Sequence, residues 1–312
     1  MKKYKTSNTA QKDKFDRFYT KSDVAASLIG HLNLAKYKLI IEPSAGSGAF
    51  SDLIEGCVAL DIEPAKEGIV KMDYFDYYPE DITGNPGHLN RSSVVELLSR
   101  MDVNKDREAV LQLILSLIIF AEANRKDILV IGNPPFGKLG SRASAFIKHS
   151  ATFADTIAFI LPKSFKKPSF QKRVPKTFHL VKEVDVPVES FLFEGEDYGV
   201  PCVFQIWKNK YKERPKVKVI IPEGFEYSTK KDCSFAFRRV GVNAGAVFTD
   251  VESRAPPSHY FIKVPSGVDL NLLILELRNV SWVNASDTVG PKSISKQDVN
   301  SVLNELLHRR RR

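Results

Sequence analysis

Apolar residues fall along this chain in short blocks whose spacing changes. Val24, Leu28 and Leu32 recur at i, i+4 and i+8 behind Thr20-Lys21-Ser22-Asp23. That is a capping-box pattern, and it predicts a helix start. Short apolar runs at 38–41, 57–61, 69–73, 127–131, 156–161, 178–186 and 200–207 predict seven strands. Helical patterns stand between several of them, over 50–54 and 141–150. Strands alternating with helices predict an α/β fold with a doubly wound, mostly parallel seven-stranded sheet. Residues 83–126 interrupt the alternation. They open on the turn residues Gly84, Asn85, Pro86 and Gly87 and carry two helical patterns, 92–100 and 106–124. After 208 the pattern becomes short strands with helices at 269–278 and 297–307.

This reading divides the chain into a basic tail (1–14), a main domain (15–209) with a helical insertion (83–126), a smaller C-terminal α+β region (210–308) and a second basic tail (309–312). Composition adds a size bound and a charge. With 312 residues and 43% hydrophobic content, a buried core is expected. The net charge is +9. Residues 1–30 contribute +4 and Arg309 to Arg312 another +4, so tails hold most of it. Cys57, Cys202 and Cys233 are widely spaced, without CxxC, and the six His form no HxxxH. No disulfide framework and no metal site are expected, and a reducing, cytoplasmic setting is. The apolar stretch 109–121 is too short to span a bilayer, and the Lys-rich N-terminus has no secretory h-region.

Two turns carry candidate chemistry. The first strand runs into Glu42-Pro43-Ser44-Ala45-Gly46-Ser47-Gly48. A glycine turn between strand and helix is how an α/β sheet opens a ligand crevice, and Gly46 and Gly48 let backbone approach a ligand. The third glycine of a phosphate fingerprint is replaced by Ser51, and no GK[ST] follows. Asp61 ends the next strand, 19 residues after Glu42, where an acid grips ribose hydroxyls. The second turn is Asn133-Pro134-Pro135-Phe136, directly after the fourth strand. Paired prolines make it rigid. The Asn133 amide oxygen and Pro134 carbonyl can both accept from one planar –NH2 group, with Phe136 stacking on the ring that bears it.

These two turns together resemble the S-adenosylmethionine-dependent adenine-N6 methyltransferases of nucleic acids, in the class whose cofactor motif precedes the Asn-Pro-Pro-Phe motif. Asp16-Arg17-Phe18-Tyr19-Thr20 is similar to that family's N-terminal motif, and Leu161-Pro162-Lys163-Ser164-Phe165 to its motif after strand five. The resemblance covers about residues 15–207 and implies a Rossmann-like methyltransferase fold with S-adenosylmethionine as cofactor. It implies that Glu42 holds the methionine amino group and that Pro43, Ala45, Gly46 and Gly48 approach the cofactor. Tyr19 and Thr20 then border its carboxylate. Asp61 takes the ribose, Ile62 lies against the adenine, and Asp73 accepts from the adenine amine beside Tyr74 or Phe75. Asn133, Pro134, Pro135 and Phe136 hold the target base, flipped out of a duplex or already unpaired.

A polyanionic partner fits the internal charge. Residues 161–182 hold seven basic side chains and no acid: Lys163, Lys166, Lys167, Lys172, Arg173, Lys176 and Lys182. The first six are expected to bind nucleic acid, DNA ahead of RNA. Residues 31–80, with the cofactor motifs, carry nine acids against four bases. The insertion 83–126 is a buttress or a protein-partner surface. The C-terminal region is a target-recognition or accessory domain. The alternatives are a protein-glutamine methyltransferase, whose target is likewise a planar –NH2, and a catalytically dead nucleic-acid-binding methyltransferase fold.

Overall fold

The computed structural model describes residues 18–79, 111, 127–193, 195–288 and 290–309. The insertion 83–126 (Leu111 aside), its proposed partner role, the two basic tails apart from Arg309, and Asp16 and Arg17 lie outside them. The chain forms two compact units. One holds the residues up to Pro162 with Lys172–Arg214, and the other holds Lys163–Gln171 with Pro215–Arg312.

The first unit is built on seven strands: β2 (Leu39–Glu42), β3 (Val58–Asp61), β4 (Val70–Lys71), β5 (Ile128–Gly132), β6 (Thr156–Pro162), β7 (Phe178–Val186) and β10 (Cys202–Asn209). Their order is β4-β3-β2-β5-β6-β10-β7. β4, β3, β2, β5 and β6 are mutually parallel, and β10 runs antiparallel between β6 and β7. This is the expected Rossmann-like, mostly parallel seven-stranded sheet.

The central strands read as apolar runs because both faces are covered. Leu129 and Ile131 join one core cluster with Ala158, Ile160, Phe204 and Ile206. Ile128 and Val130, pointing the other way, are equally buried. Helix α1 (Ser22–Ile29) contributes Ala25 and Leu28 to that cluster. Helix α2 (Ser141–Ser150) packs on β6. The predicted helix over 50–54 is one 3-10 turn, Ser51–Leu53.

A second sheet in this unit joins β1 (Tyr19–Thr20), β8 (Phe191–Phe193) and β9 (Glu196–Tyr198) in the order β1-β8-β9. It corrects the predicted cap. Thr20 is paired with Phe191, and the N-cap is Lys21, with no side-chain hydrogen bond. The helix begins at Ser22, one residue later than a Thr20 cap would require. Phe18 stacks on Tyr198 with centroids 4.7 Å apart, which fixes the approach to β1.

The second unit is an antiparallel sheet of β11 (Glu226–Tyr227), β12 (Phe235–Arg238), β13 (Val247–Phe248) and β14 (His259–Lys263), ordered β11-β14-β12-β13. With it go a four-residue helix α3 (Pro168–Gln171), α4 (Leu270–Arg278) and α5 (Lys296–Arg309). Phe235, Phe237 and Ile262 of the sheet, Leu273 and Leu277 of α4, and Val299, Leu303 and Leu307 of α5 form its core.

Candidate active site

β2 and β5 are parallel neighbours, and the strand order turns in opposite directions from them. In an open α/β sheet that is the switch point, where the two following turns diverge and leave a crevice. Here the turns are the two singled out by sequence. They are tied together: Ser44 Oγ donates to the Asn133 carbonyl at 3.1 Å.

A cavity of about 410 Å³ opens at this point. Of the predicted cofactor residues, Tyr19, Thr20, Glu42, Pro43, Ala45 and Gly46 line it. So do Asp61, Ile62, Asp73 and Tyr74, together with Asn133 and Pro135 of the second turn. Gly48, Pro134 and Phe136 are not on its lining. Pro134 is buried. Phe136 packs, half-buried, against the core cluster of the sheet. Aromatic faces on the lining come instead from Phe18, Tyr19, Tyr74, Phe75 and Phe146.

The glycine turn is held by backbone and carboxylate together. Gly46 sits at φ +54°, and a Cβ there would lie 2.7 Å from Tyr19 Cε1, so both conformation and space require glycine. Its N–H donates to Asp61 Oδ2 at 2.8 Å, and Glu63 N–H donates to Asp61 Oδ1 at 2.8 Å. Asp61 thus staples the turn to the end of β3. Glu42 is 1% exposed, and its carboxylate accepts from Phe50 N–H at 3.3 Å and Ser51 N–H at 2.7 Å. Burial still outweighs these bonds and pushes Glu42 up to about 7. Asp73 Oδ1 accepts from Phe75 N–H at 3.0 Å and so caps the turn Tyr74–Asp76. Tyr74 shares a 2.8 Å hydrogen bond with Ser150 Oγ, and burial raises its phenol well above its ordinary value. It presents a ring, not an acid.

Asn133 is oriented from the N-terminal motif. Its Nδ2 donates to the Phe18 carbonyl at 3.0 Å. A carbonyl only accepts, so this bond fixes which end of the amide is –NH2 and makes Oδ1 its accepting end. Thr20 Oγ1, also at the cavity, is buried without a hydrogen-bond partner among the described residues. An unpaired buried hydroxyl costs about 1–3 kcal/mol, which a polar ligand atom would relieve.

Among the described residues, four carboxylates line the cavity (Glu42, Asp61, Glu63 and Asp73) against one cation, Arg142. The sequence pattern alone did not single out Arg142, Ala145 and Phe146. They stand at i, i+3 and i+4 on the predicted helix 141–150, which begins a few residues after Phe136, and that shared face was the available signal. Helix α2 is anchored to the second turn by Arg142 and Ala143 N–H groups donating to the Phe136 carbonyl at 3.1 and 3.3 Å.

The six basic residues proposed for nucleic acid are distributed differently. Lys163, Lys166 and Lys167 belong to the second unit, and Lys172, Arg173 and Lys176 to the first. Lys167 Nζ donates to Ser293 O at 3.0 Å and Ser293 Oγ at 2.9 Å, and burial lowers its pKa. Arg173 Nη1 donates to the Leu139 carbonyl at 2.6 Å, and Lys176 lies 3.5 Å from Glu213. At least half of the tract therefore has intramolecular partners. Phe191 is fully buried, and Phe193 packs with Phe18 and Tyr198, so both serve packing.

No family model matches the chain, and no curated protein matches its sequence. Among solved structures it is similar to a proposed RNA methyltransferase from Pyrococcus horikoshii, at 12% identity and a TM-score of 0.34, over 66% of this chain and 93% of that one. It is also similar to a proposed S-adenosylmethionine-dependent methyltransferase from Streptococcus mutans, at 12% identity and a TM-score of 0.30, over 60% of this chain and 48% of that one. A third, a proposed methyltransferase complexed with S-adenosylhomocysteine, matches at 13% identity and a TM-score of 0.30, over 59% and 48%. These likenesses are distant and assign no activity to this chain. Among the described residues no group of side chains could hold a metal ion, and no helix is long and apolar enough to cross a membrane.

Proposed function

We propose that this protein is an S-adenosylmethionine-dependent methyltransferase that modifies the exocyclic amine of adenine in DNA or RNA. The observation that carries the reading is the joining of the two turns at one cavity, with Asn133 oriented by Phe18 and tied to Ser44. The lining fits the cofactor. The unpaired Thr20 hydroxyl suits its carboxylate, the carboxylates of Glu42 and Asp61 suit its amine and ribose, and Asp73 with Phe75 suits its adenine. When bound, S-adenosylmethionine supplies a methyl group already activated on a sulfonium.

The chain's own work is then positioning. An adenine amine is a weak nucleophile because its lone pair is delocalised into the ring. Asn133 Oδ1 accepts a hydrogen bond from this amine, which favours a more tetrahedral nitrogen with its lone pair aimed outward. Such a pre-set acceptor lowers a barrier without reorganising during the reaction. Because Phe136 packs toward the core, Phe75 and Phe146 are further aromatic faces for the two adenine rings involved. Lys163 and Lys172 are the members of the basic tract proposed to meet phosphates.

The test offers tritiated cofactor to single-stranded DNA, RNA and a glutamine-bearing peptide. Label in adenine-containing nucleic acid supports the reading. Label in the peptide alone overturns it in favour of protein-glutamine transfer.

A further inference from the structure

Among the described residues on the cavity lining, Arg142 is the cation, beside the carboxylates of Glu42, Asp61, Glu63 and Asp73 on an otherwise largely apolar wall. It is exposed, and no described residue forms an ion pair or hydrogen bond with its guanidinium. It is the second residue of α2, whose first turn contains no acid. A cation at a helix N-terminus opposes the helix dipole, so this arginine does nothing for its own helix. Its stem packs tightly over the exit of the second turn, because a Cβ on Gly137 would stand 2.8 Å from Arg142 Cγ. A stem held there, and a charge without a partner among the described residues, are the marks of a group waiting for an anion.

We infer that Arg142 is a phosphate-binding residue on the target side of the cavity, gripping the backbone phosphate of the nucleotide whose base reaches Asn133. This rests on the functional reading above and narrows it, because it requires a substrate with phosphates rather than an isolated amide. Guanidinium suits the role: it is permanently charged and presents a planar donor fork to phosphate oxygens. The adjacent backbone amides cannot serve instead, since Arg142 and Ala143 N–H already donate to the Phe136 carbonyl.

The experiment compares the full chain with Arg142→Gln and Arg142→Lys, using an adenine-containing single-stranded oligonucleotide across a salt series and measuring cofactor affinity by calorimetry. Loss of one charged hydrogen bond predicts a roughly tenfold rise in KM for Arg142→Gln, with kcat moved far less. The slope of log KM against log salt falls by about 0.7, one phosphate on a single strand. Arg142→Lys restores the slope and only part of the affinity. Transfer to the oligonucleotide with unchanged KM and slope overturns this proposal alone. So does a loss confined to cofactor affinity, which would assign Arg142 to the cofactor carboxylate. Wild-type protein that leaves the oligonucleotide unlabelled overturns the functional reading, and this proposal with it.

Discussion

Asn133 Nδ2 donates to the carbonyl of Phe18, 115 residues earlier in the chain, at 3.0 Å. The bond ties the residue just before β1 to the Asn133 amide and sets which end of that amide is the acceptor. Asn133→Ala should lower single-turnover transfer by about a hundredfold or more while leaving cofactor affinity nearly unchanged. Asn133→Asp should fail as well, since a carboxylate oxygen facing the Phe18 carbonyl is repelled and turns away. Wild-type turnover in the aspartate variant would show that this orientation does not matter.

Gly46 and Tyr19 form a second testable pair. Gly46→Ala introduces a Cβ 2.7 Å from the Tyr19 ring at a φ of +54°. It should cost about 1–3 kcal/mol of stability, measured from urea midpoints, and weaken cofactor binding. Tyr19→Ala in the same chain removes the clash but not the backbone strain. The double variant should therefore recover part of the loss. Strict additivity of the two changes would contradict the close approach of these residues.

Glu42 predicts a pH dependence of stability. Its folded value, about 7, lies above an ordinary 4.5 because of burial. Between these values the folded state holds a proton that the unfolded state has released. Stability contributed by the neutral form is thus complete below about 4.5 and lost as pH rises through 7, on the order of 3 kcal/mol. Glu42→Gln should flatten urea midpoints over that window. Equal slopes in the two proteins would refute it.

The basic tract should not act uniformly. Charge reversal at Lys163 and Lys172 is expected to reduce the salt slope of oligonucleotide binding by about 0.7 for each phosphate that is no longer neutralised. Lys167→Ala should instead destabilise the second unit by about 1–3 kcal/mol, because it removes both bonds to Ser293. A salt slope unmoved by the reversals would return Lys163 and Lys172 to ordinary solvated surface.

Seven strands of the main sheet were legible because its central members are buried on both faces and read as apolar runs. The smaller unit was less legible: β11 and β13 are two residues each, too short for a period to show. Thr20 misled because a hydroxyl before a helix looks like a cap, and its pairing with Phe191 lies far along the chain. Both candidate turns were visible as residues. Their coupling was not, since the pairing of β2 with β5 brings Ser44 to Asn133, and Phe18 reaches it from 115 residues away. Charge in the tract 161–182 was visible, whereas Ser293 and Leu139 as its partners were not.

The cavity is proposed to transfer a methyl group to an adenine amine held by Asn133. The most direct measurement is mass spectrometry of nucleosides from DNA and RNA incubated with the protein and S-adenosylmethionine, alongside the Asn133→Ala variant. N6-methylated adenine is expected from the wild-type protein and none from the variant. A methyl group on another base, on protein alone, or equally abundant with Asn133→Ala would contradict it.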